Sequence, residues 1–156
     1  MIVTIREARE SDVEGLVDLV VRLKRLNSEF DPLFSARSDC TERAREYLLS
    51  AIRDSKNHLV LVAEDNGKII GVLKADIRER LFYSPSIEGA IVDFYVMPEY
   101  RRKGLGKQLL ERAIAILRER GAQLITAEFP TLNQIAVNFY TKMGFRPLVS
   151  VYAKET

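Results

Sequence analysis

Val96-Met97-Pro98-Glu99-Tyr100-Arg101-Arg102-Lys103-Gly104-Leu105-Gly106-Lys107 decides the architecture. Just before it, Ala90-Ile91-Val92 and Phe94-Tyr95-Val96 are β-branched and aromatic and predict a strand. Pro98 has no N–H and ends the pairing. After the turn, Leu105, Leu109, Ala113, Ile116 and Leu117 recur at helical spacing, and Gly121 stops the helix. A strand thus runs through a basic, glycine-bearing turn into a helix. Such a turn aims several backbone N–H groups at one point beside the positive end of the helix, a geometry that binds phosphate. A side chain at Gly104 or Gly106 would obstruct close approach of a pyrophosphate, and glycine also reaches positive φ. Arg101, Arg102, Lys103 and Lys107 surround the turn with positive charge, offset only by Glu99. Two other phosphate motifs are excluded by spacing. The dinucleotide fingerprint needs glycine where Leu109 stands, and the P-loop needs glycine at Arg101 and Ser or Thr at Gln108. On the turn alone, a solvated basic rim without a ligand remains an equal reading.

A second segment shifts that balance. Asn133-Gln134-Ile135-Ala136-Val137-Asn138-Phe139-Tyr140-Thr141-Lys142-Met143 predicts a short helix, with Gly144 as its stop and Phe145 opening another strand. Together the two segments resemble the GNAT superfamily of N-acetyltransferases. Arg101-Arg102-Lys103-Gly104-Leu105-Gly106 matches its first signature: Arg or Gln, two residues, Gly, one residue, then Gly or Ala. Asn133, Ala136, Tyr140 and Gly144-Phe145 match the second at the usual spacing.

The rest of the chain suits this resemblance. At 156 residues it is expected to form a single domain over 1–156 with a core of ordinary size. Hydrophobic residues at 47% and charged residues at 29% describe a soluble globular protein. A net charge of +2 gives no case for a nucleic-acid or membrane binder. No apolar run approaches a membrane span, and Met1 to Arg6 lacks the form of a secretory signal. The single cysteine, Cys40, excludes an internal disulfide and suits a reducing cytoplasm.

The element pattern predicts a strand over 3–8 and a helix to about Leu26, started by Ser11 with Glu14 as a capping box. A loop over 27–40 and a second helix from a Thr41 cap to about Arg53 follow. Strands then span 58–64 and 69–77 around an Asp65-Asn66-Gly67-Lys68 turn. The fourth strand covers 87–97, the fifth 123–129, and a last strand region 145–153. The expected fold is α/β: a mixed, mostly antiparallel central sheet flanked by helices. From the resemblance, the sheet should splay between its fourth and fifth strands.

The resemblance also implies the chemistry. Acetyl-CoA would be the cosubstrate, with no metal, and its acetyl group would pass directly to an amine of a small molecule or a peptide. Pyrophosphate binding falls to the backbone from Arg102 to Lys107, pantetheine binding to backbone groups of Tyr95 and Val96, and the thioester oxygen to the Val96 N–H. Tyr140 holds the general-acid position, and Asn133 is a helix cap that also suits cofactor contact. Where many members carry a glutamate on the fourth strand, this chain has Val92. Asp93 is then the candidate for preparing the amine. It lies three residues from Val96, about 10 Å, against about 27 Å for Glu88. By simple alternation Asp93, Tyr95 and Met97 share one face, and a bulge would change that phase. Phe30, Phe34, Phe82 and Tyr83 lie in the loops that usually shape the acceptor site, where Asp31, Asp39, Glu79 and Glu88 could favour a cationic amine. A homodimer is left open as the assembly. The competing reading is a sensor that binds acetyl-CoA without efficient catalysis.

Overall fold

Asn66 and Gly67 both take positive φ, 51° and 82°. They make the tight turn that the Asp-Asn-Gly-Lys stretch predicts, and it joins β2 (His58–Asp65) to β3 (Lys68–Glu79). The computed structural model describes residues 2–156. Before the hairpin come β1 (Val3–Glu7), α1 (Val13–Asn27) and α2 (Cys40–Arg53). After it come β4 (Ile87–Val96), α3 (Leu105–Glu119), β5 (Leu124–Ala127) and α4 (Gln134–Lys142). The sheet order is β1-β2-β3-β4-β5. All neighbours are antiparallel except β4 and β5, which run parallel. The expected mixed α/β fold is the observed one.

Helices cover both faces. A side chain at Gly89 of β4 would meet Leu117 of α3 at 2.8 Å, and one at Gly71 of β3 would meet Leu109 of α3 at 3.3 Å. These glycines let α3 lie close on one face. On the other face, Lys24 of α1 and Tyr47 of α2 reach Asp93 of β4. Leu16, Leu19, Leu48, Leu61, Leu73, Leu109, Leu110 and Leu117 are fully buried and join both layers to the sheet. The apolar spacing of the three long helices places their stripes inward, as periodicity requires.

Three expectations differ from the structure. The region 145–153 forms no strand: residues 146–156 are irregular and exposed. Its β-branched residues find no partner strand within their own chain. Ser11 does not cap α1. Glu10–Asp12 is instead a 3₁₀ turn, and Asp12 acts by folding back. The Asp12 carboxylate accepts the Arg9 N–H at 2.7 Å and two bonds from the Arg6 guanidinium at 2.8 and 2.9 Å. Thr41 does not cap α2 either, because the helix begins one residue earlier, at Cys40, behind Asp39.

Asp12 therefore joins β1 to the start of α1 through a nearly buried ion pair. The Arg6 hydrogen bond is the main influence holding its carboxyl below the usual range, and burial opposes it. A lowered folded pKa means that the contribution is complete above about pH 4 and is lost as pH falls through the folded value. Asp12→Asn should cost about 1–3 kcal/mol of unfolding free energy at neutral pH. Urea titrations over a pH series should show the gap to wild type closing as the solution becomes more acid than about pH 4.

Candidate active site

The pairing of β4 with β5 is short. It joins Glu88–Ile91 to Leu124–Ala127, and the last bond runs from the Glu128 N–H to the Ile91 carbonyl at 2.9 Å. Beyond this point β4 continues to Val96 and β5 has left it. The ladder on the other side tells which groups face the gap. Met97 N–H donates to the Ile70 carbonyl at 2.9 Å, so residues 70 and 97 form a hydrogen-bonded pair. Opposed residues alternate in an antiparallel ladder. Tyr95 and Asp93, opposite Val72 and Lys74, thus turn their main chain toward β3. Phe94 and Val96 turn theirs into the gap. The Val96 N–H therefore faces the gap, the Tyr95 main chain is paired within the sheet, and the Phe94 main chain is open to the gap.

A bulge sets this phase. Lys74 pairs with Asp93 and Ala75 with Ile91, leaving Val92 as the extra residue of β4. Without it, Asp93 would fall on the α3 side with Gly89 and Ile91.

The turn beyond β4 holds itself in place. Arg101 donates from Nε to the Val96 carbonyl at 2.9 Å, and its guanidinium lies 5.2 Å from the Tyr95 ring centroid. It straps the turn to the end of the strand. Arg102 and Gly104 take positive φ, 65° and 76°. Gly104 is the N-cap of α3 and has no side chain to satisfy the helix donors. The N–H groups of Leu105, Gly106 and Lys107 are consequently free of intrahelical partners. Arg102, Lys103 and Lys107 are exposed around them. A Cβ at Gly106 would make only ordinary contacts, 3.7 Å to Phe139 and 3.8 Å to Phe94, so the fold does not itself demand glycine there. A phosphate lying against the same backbone would.

The α3 side of the gap is aromatic. Phe94 meets Phe139 edge-on at 5.7 Å. Tyr140 stacks on Phe129 at 5.3 Å and meets Phe139 and Phe145 edge-on, both at 5.2 Å. Only 7% of Tyr140 is exposed, and burial raises its phenol pKa. Among the described residues no protein group hydrogen-bonds its hydroxyl. Asn133 caps α4, its side-chain oxygen accepting the Ala136 N–H at 3.1 Å.

The opposite side is charged, and most of it was not anticipated from sequence. Asp93 is 2% exposed, one carboxylate oxygen bound by the Lys24 ammonium and the other by the Tyr47 hydroxyl. Lys74, also 2% exposed, lies 4.2 Å from the Tyr47 ring centroid and 2.6 Å from Asp76, which His58 Nδ1 approaches at 2.7 Å. Burial raises the Tyr47 phenol, and the charges of Asp93, Asp76 and Glu128 reinforce it. Glu88, the other carboxylate of β4, accepts from Thr126 across the β4–β5 ladder at 2.5 Å. Lys74 had a legible signal, a lysine inside an apolar strand. Lys24 and Tyr47 had none, since their role depends on how two helices pack. Among the described residues no group of side chains could hold a metal.

Comparisons with known proteins agree with this geometry. The family profile described as "Acetyltransferase (GNAT) family" matches residues 23–145. An uncharacterized N-acetyltransferase of Archaeoglobus fulgidus is 27% identical over 141 residues, 90% of this chain and 92% of its own length. The N-alpha-acetyltransferase 30 of Schizosaccharomyces pombe is 27% identical over 111 residues, 70% of this chain and 71% of its own. Among solved structures, the PaiA N-acetyltransferase of Thermoplasma acidophilum, in complex with coenzyme A, superposes with a TM-score of 0.78 at 24% identity. It covers 94% of this chain and 91% of the other.

Gly106→Ala should leave stability unchanged or raise it by up to about 1 kcal/mol, because the site has room and alanine favours a helix. Thermal and urea unfolding of the unliganded protein check this.

Proposed function

The chain belongs to the acetyltransferase (GNAT) family, and we propose that the gap between β4 and β5 is where acetyl-CoA meets an acceptor amine. The protein is an N-acetyltransferase that uses acetyl-CoA as cosubstrate. The proposal rests on one observation above all. The main chain of Phe94 and Val96 turns into the gap at the end of the strand that leads into the free amides of Leu105–Lys107, and a Cβ at Gly106 would lie 3.8 Å from the Phe94 ring, so a thioester and a pyrophosphate would find donors along one stretch of chain. The residues present fit the cosubstrate: an open helix start, a glycine the fold does not need, and basic side chains at the rim.

The bound cosubstrate supplies an acetyl group activated as a thioester. In this reading the amides from Arg102 to Lys107 hold the pyrophosphate, and Arg101 keeps the turn in register with β4. Phe94 binds the pantetheine arm through its main chain. The Val96 N–H donates to the thioester oxygen as negative charge grows there, a contribution typically worth about 3 kcal/mol. Tyr140 lies on the aromatic side with an uncommitted hydroxyl, suited to protonate the departing thiolate. Asn133 holds the start of α4 and thereby the height of Tyr140.

The amine must arrive neutral, since its lone pair makes the new C–N bond. Asp93 is enclosed, so an amine reaches it only through Tyr47 or Lys24. We assign Asp93 a positioning role. It fixes the Tyr47 side chain by accepting its hydroxyl hydrogen bond and can take a proton that Tyr47 relays. Peptide amino termini come first as acceptors, because N-alpha-acetyltransferases stand among the relatives. Residues 1–156 are read as one catalytic domain. A cytoplasmic site of action is supported by the lone cysteine, and no helix among the described residues is long and apolar enough to cross a membrane. Amine-dependent release of free CoA across peptides and small amines tests the function, and no release with any acceptor would overturn it.

Three measurements test the residues. Gly106→Glu should fold yet weaken acetyl-CoA binding by about tenfold or more in calorimetry; unchanged affinity would remove the turn from the site. Tyr140→Phe should lower kcat by about 100-fold with little change in acetyl-CoA affinity, under conditions where chemistry limits the rate. Asp93→Asn and Tyr47→Phe should each lower kcat/KM most at low pH, where free amine is scarce, with part of the loss recovered as pH rises. A wild-type pH profile in both variants would leave the amine to be deprotonated by bulk water.

A further inference from the structure

Lys74 stands opposite Asp93 in the β3–β4 ladder, so the two side chains leave the sheet as neighbours on one face. An ammonium and a carboxylate placed in this way would ordinarily bond each other. Here they do not. The Asp93 carboxylate takes the Lys24 ammonium and the Tyr47 hydroxyl, while Lys74 turns to Asp76 at 2.6 Å. Tyr47 bridges the two, with its hydroxyl on Asp93 and its ring face 4.2 Å from the Lys74 ammonium. The Asp76 oxygen that binds Lys74 also meets His58 Nδ1 at 2.7 Å, and Arg78 lies 3.5 Å from the other oxygen.

Lys74 is fully buried and out of reach of an acceptor, whereas Tyr47 is 37% exposed. Burying an ammonium costs free energy, and an apolar side chain of similar length would fill the same space without that cost. The charge has a use at the Tyr47 oxygen. In the relay, the amine proton passes to that oxygen and the Tyr47 proton passes to Asp93, leaving a neutral amine and a neutral acid. Negative charge grows on the phenol oxygen as its own proton leaves ahead of the one it receives. Burial is the main influence holding the Tyr47 proton, and the charges of Asp93, Asp76 and Glu128 add to it. Lys74 beneath the ring and Lys24 on Asp93 work the other way. A ring face attracts a cation most strongly where water is excluded, and more so as the ring gains negative charge. Burial acts most strongly on the Asp76 carboxyl and pushes it up, but the hydrogen bonds from Lys74 and His58 help to outweigh it and hold the carboxyl below the usual range. Lys74 thus keeps a counter-ion of its own and leaves Asp93 free to serve Tyr47.

We propose, on the basis of the relay through Tyr47, that Lys74 is a positioning residue of the acetyl transfer. Its ammonium, held by Asp76, fixes the Tyr47 ring and stabilises the negative charge that grows on the phenol oxygen while the amine proton is passed on. Around this pair stand Lys24 of α1, His58 of β2, Asp76 and Arg78 of β3, Asp93 of β4 and Glu128 beyond β5. All six are unchanged when Lys74 alone is replaced, so a change in pH response reports on Lys74.

Release of CoA by wild type, Lys74→Met, Tyr47→Phe and the double variant tests this, with saturating acetyl-CoA and a short peptide with a free amino terminus over a pH series. Lys74→Met should lower kcat/KM for the peptide by about tenfold at low pH, with part of the loss recovered as free amine becomes plentiful. Its acetyl-CoA affinity should equal that of wild type. In the Tyr47→Phe background the same change should alter kcat/KM by less than about twofold, because the hydroxyl it serves is gone. If Lys74→Met melts early, Lys74→Met combined with Asp76→Asn removes both ions and gives the same reading. Tyrosine labelled with carbon-13 at Cζ needs no acceptor. The Tyr47 resonance, identified by its loss in Tyr47→Phe, should move upfield in Lys74→Met as phenolate character declines. Three outcomes would overturn the role of Lys74: an unmoved Tyr47 resonance, a wild-type profile in Lys74→Met while Tyr47→Phe loses activity, or a Lys74→Met loss that persists in full in Tyr47→Phe. A wild-type profile in Tyr47→Phe would instead remove the relay itself, and the role of Lys74 with it.

Discussion

The early end of the β4–β5 ladder is the constraint on which the rest depends. Parallel strands normally pair along their length, but here the bonding stops at the Ile91 carbonyl while β4 runs on to Val96. Main-chain donors in a protein interior need partners, and leaving one unmade costs about 1–3 kcal/mol. A gap faced by the Phe94 main chain and the Val96 N–H offers bonds to a ligand that can pair with a strand without being one. The amide-bearing pantetheine arm has that chemistry. The bulge at Val92 belongs to the same constraint, since it decides which side chains accompany those open groups.

Opening the sheet divides its surroundings into two chemically different halves. On the α3 and α4 side, the rings of Phe94, Phe129, Phe139, Tyr140 and Phe145 pack with centroids 5.2–5.7 Å apart, and the one polar tip is the Tyr140 hydroxyl. On the α1 and α2 side, Lys24, Tyr47, Lys74, Asp76 and Asp93 bind one another. Buried charges cost free energy unless paired, and here each buried carboxylate or ammonium has a partner of opposite charge. Such an arrangement contributes less to stability than an apolar core of the same volume.

In the basic turn a signature arginine also holds the backbone in place. Arg101 looks like a phosphate ligand, yet its guanidinium is engaged with the Val96 carbonyl and the Tyr95 ring. For an anion, the terminal nitrogens of Arg101, which have no hydrogen-bond partner among the described residues, would add to the charge of Arg102, Lys103 and Lys107, with directional donors from the main chain at the start of α3. Fixed amides lose little freedom on binding, whereas long side chains must be ordered.

The sequence alone determined the features that depend on local rules. Strand and helix periodicity, the Asn66-Gly67 turn, the strand-to-helix junction at Gly104 and the Asn133 cap all follow from conformational preferences of residues near in the chain. Resemblance, rather than any local rule, led to the expectation that Val96, Gly106 and Tyr140 share one site. Tertiary structure alone decided what depends on register and packing. One extra residue at Val92 chose the face of Asp93, and ladder parity paired the Tyr95 main chain within the sheet and left that of Phe94 open to the gap. Lys24 and Tyr47, 69 and 46 residues before Asp93, reach it only because α1 and α2 lie across the same sheet. The residues from Leu148 to Ala153 show the same limit from the other side. Their composition specifies a strand, but a strand exists only with a neighbour to bond, and no local pattern in a chain says where that neighbour is.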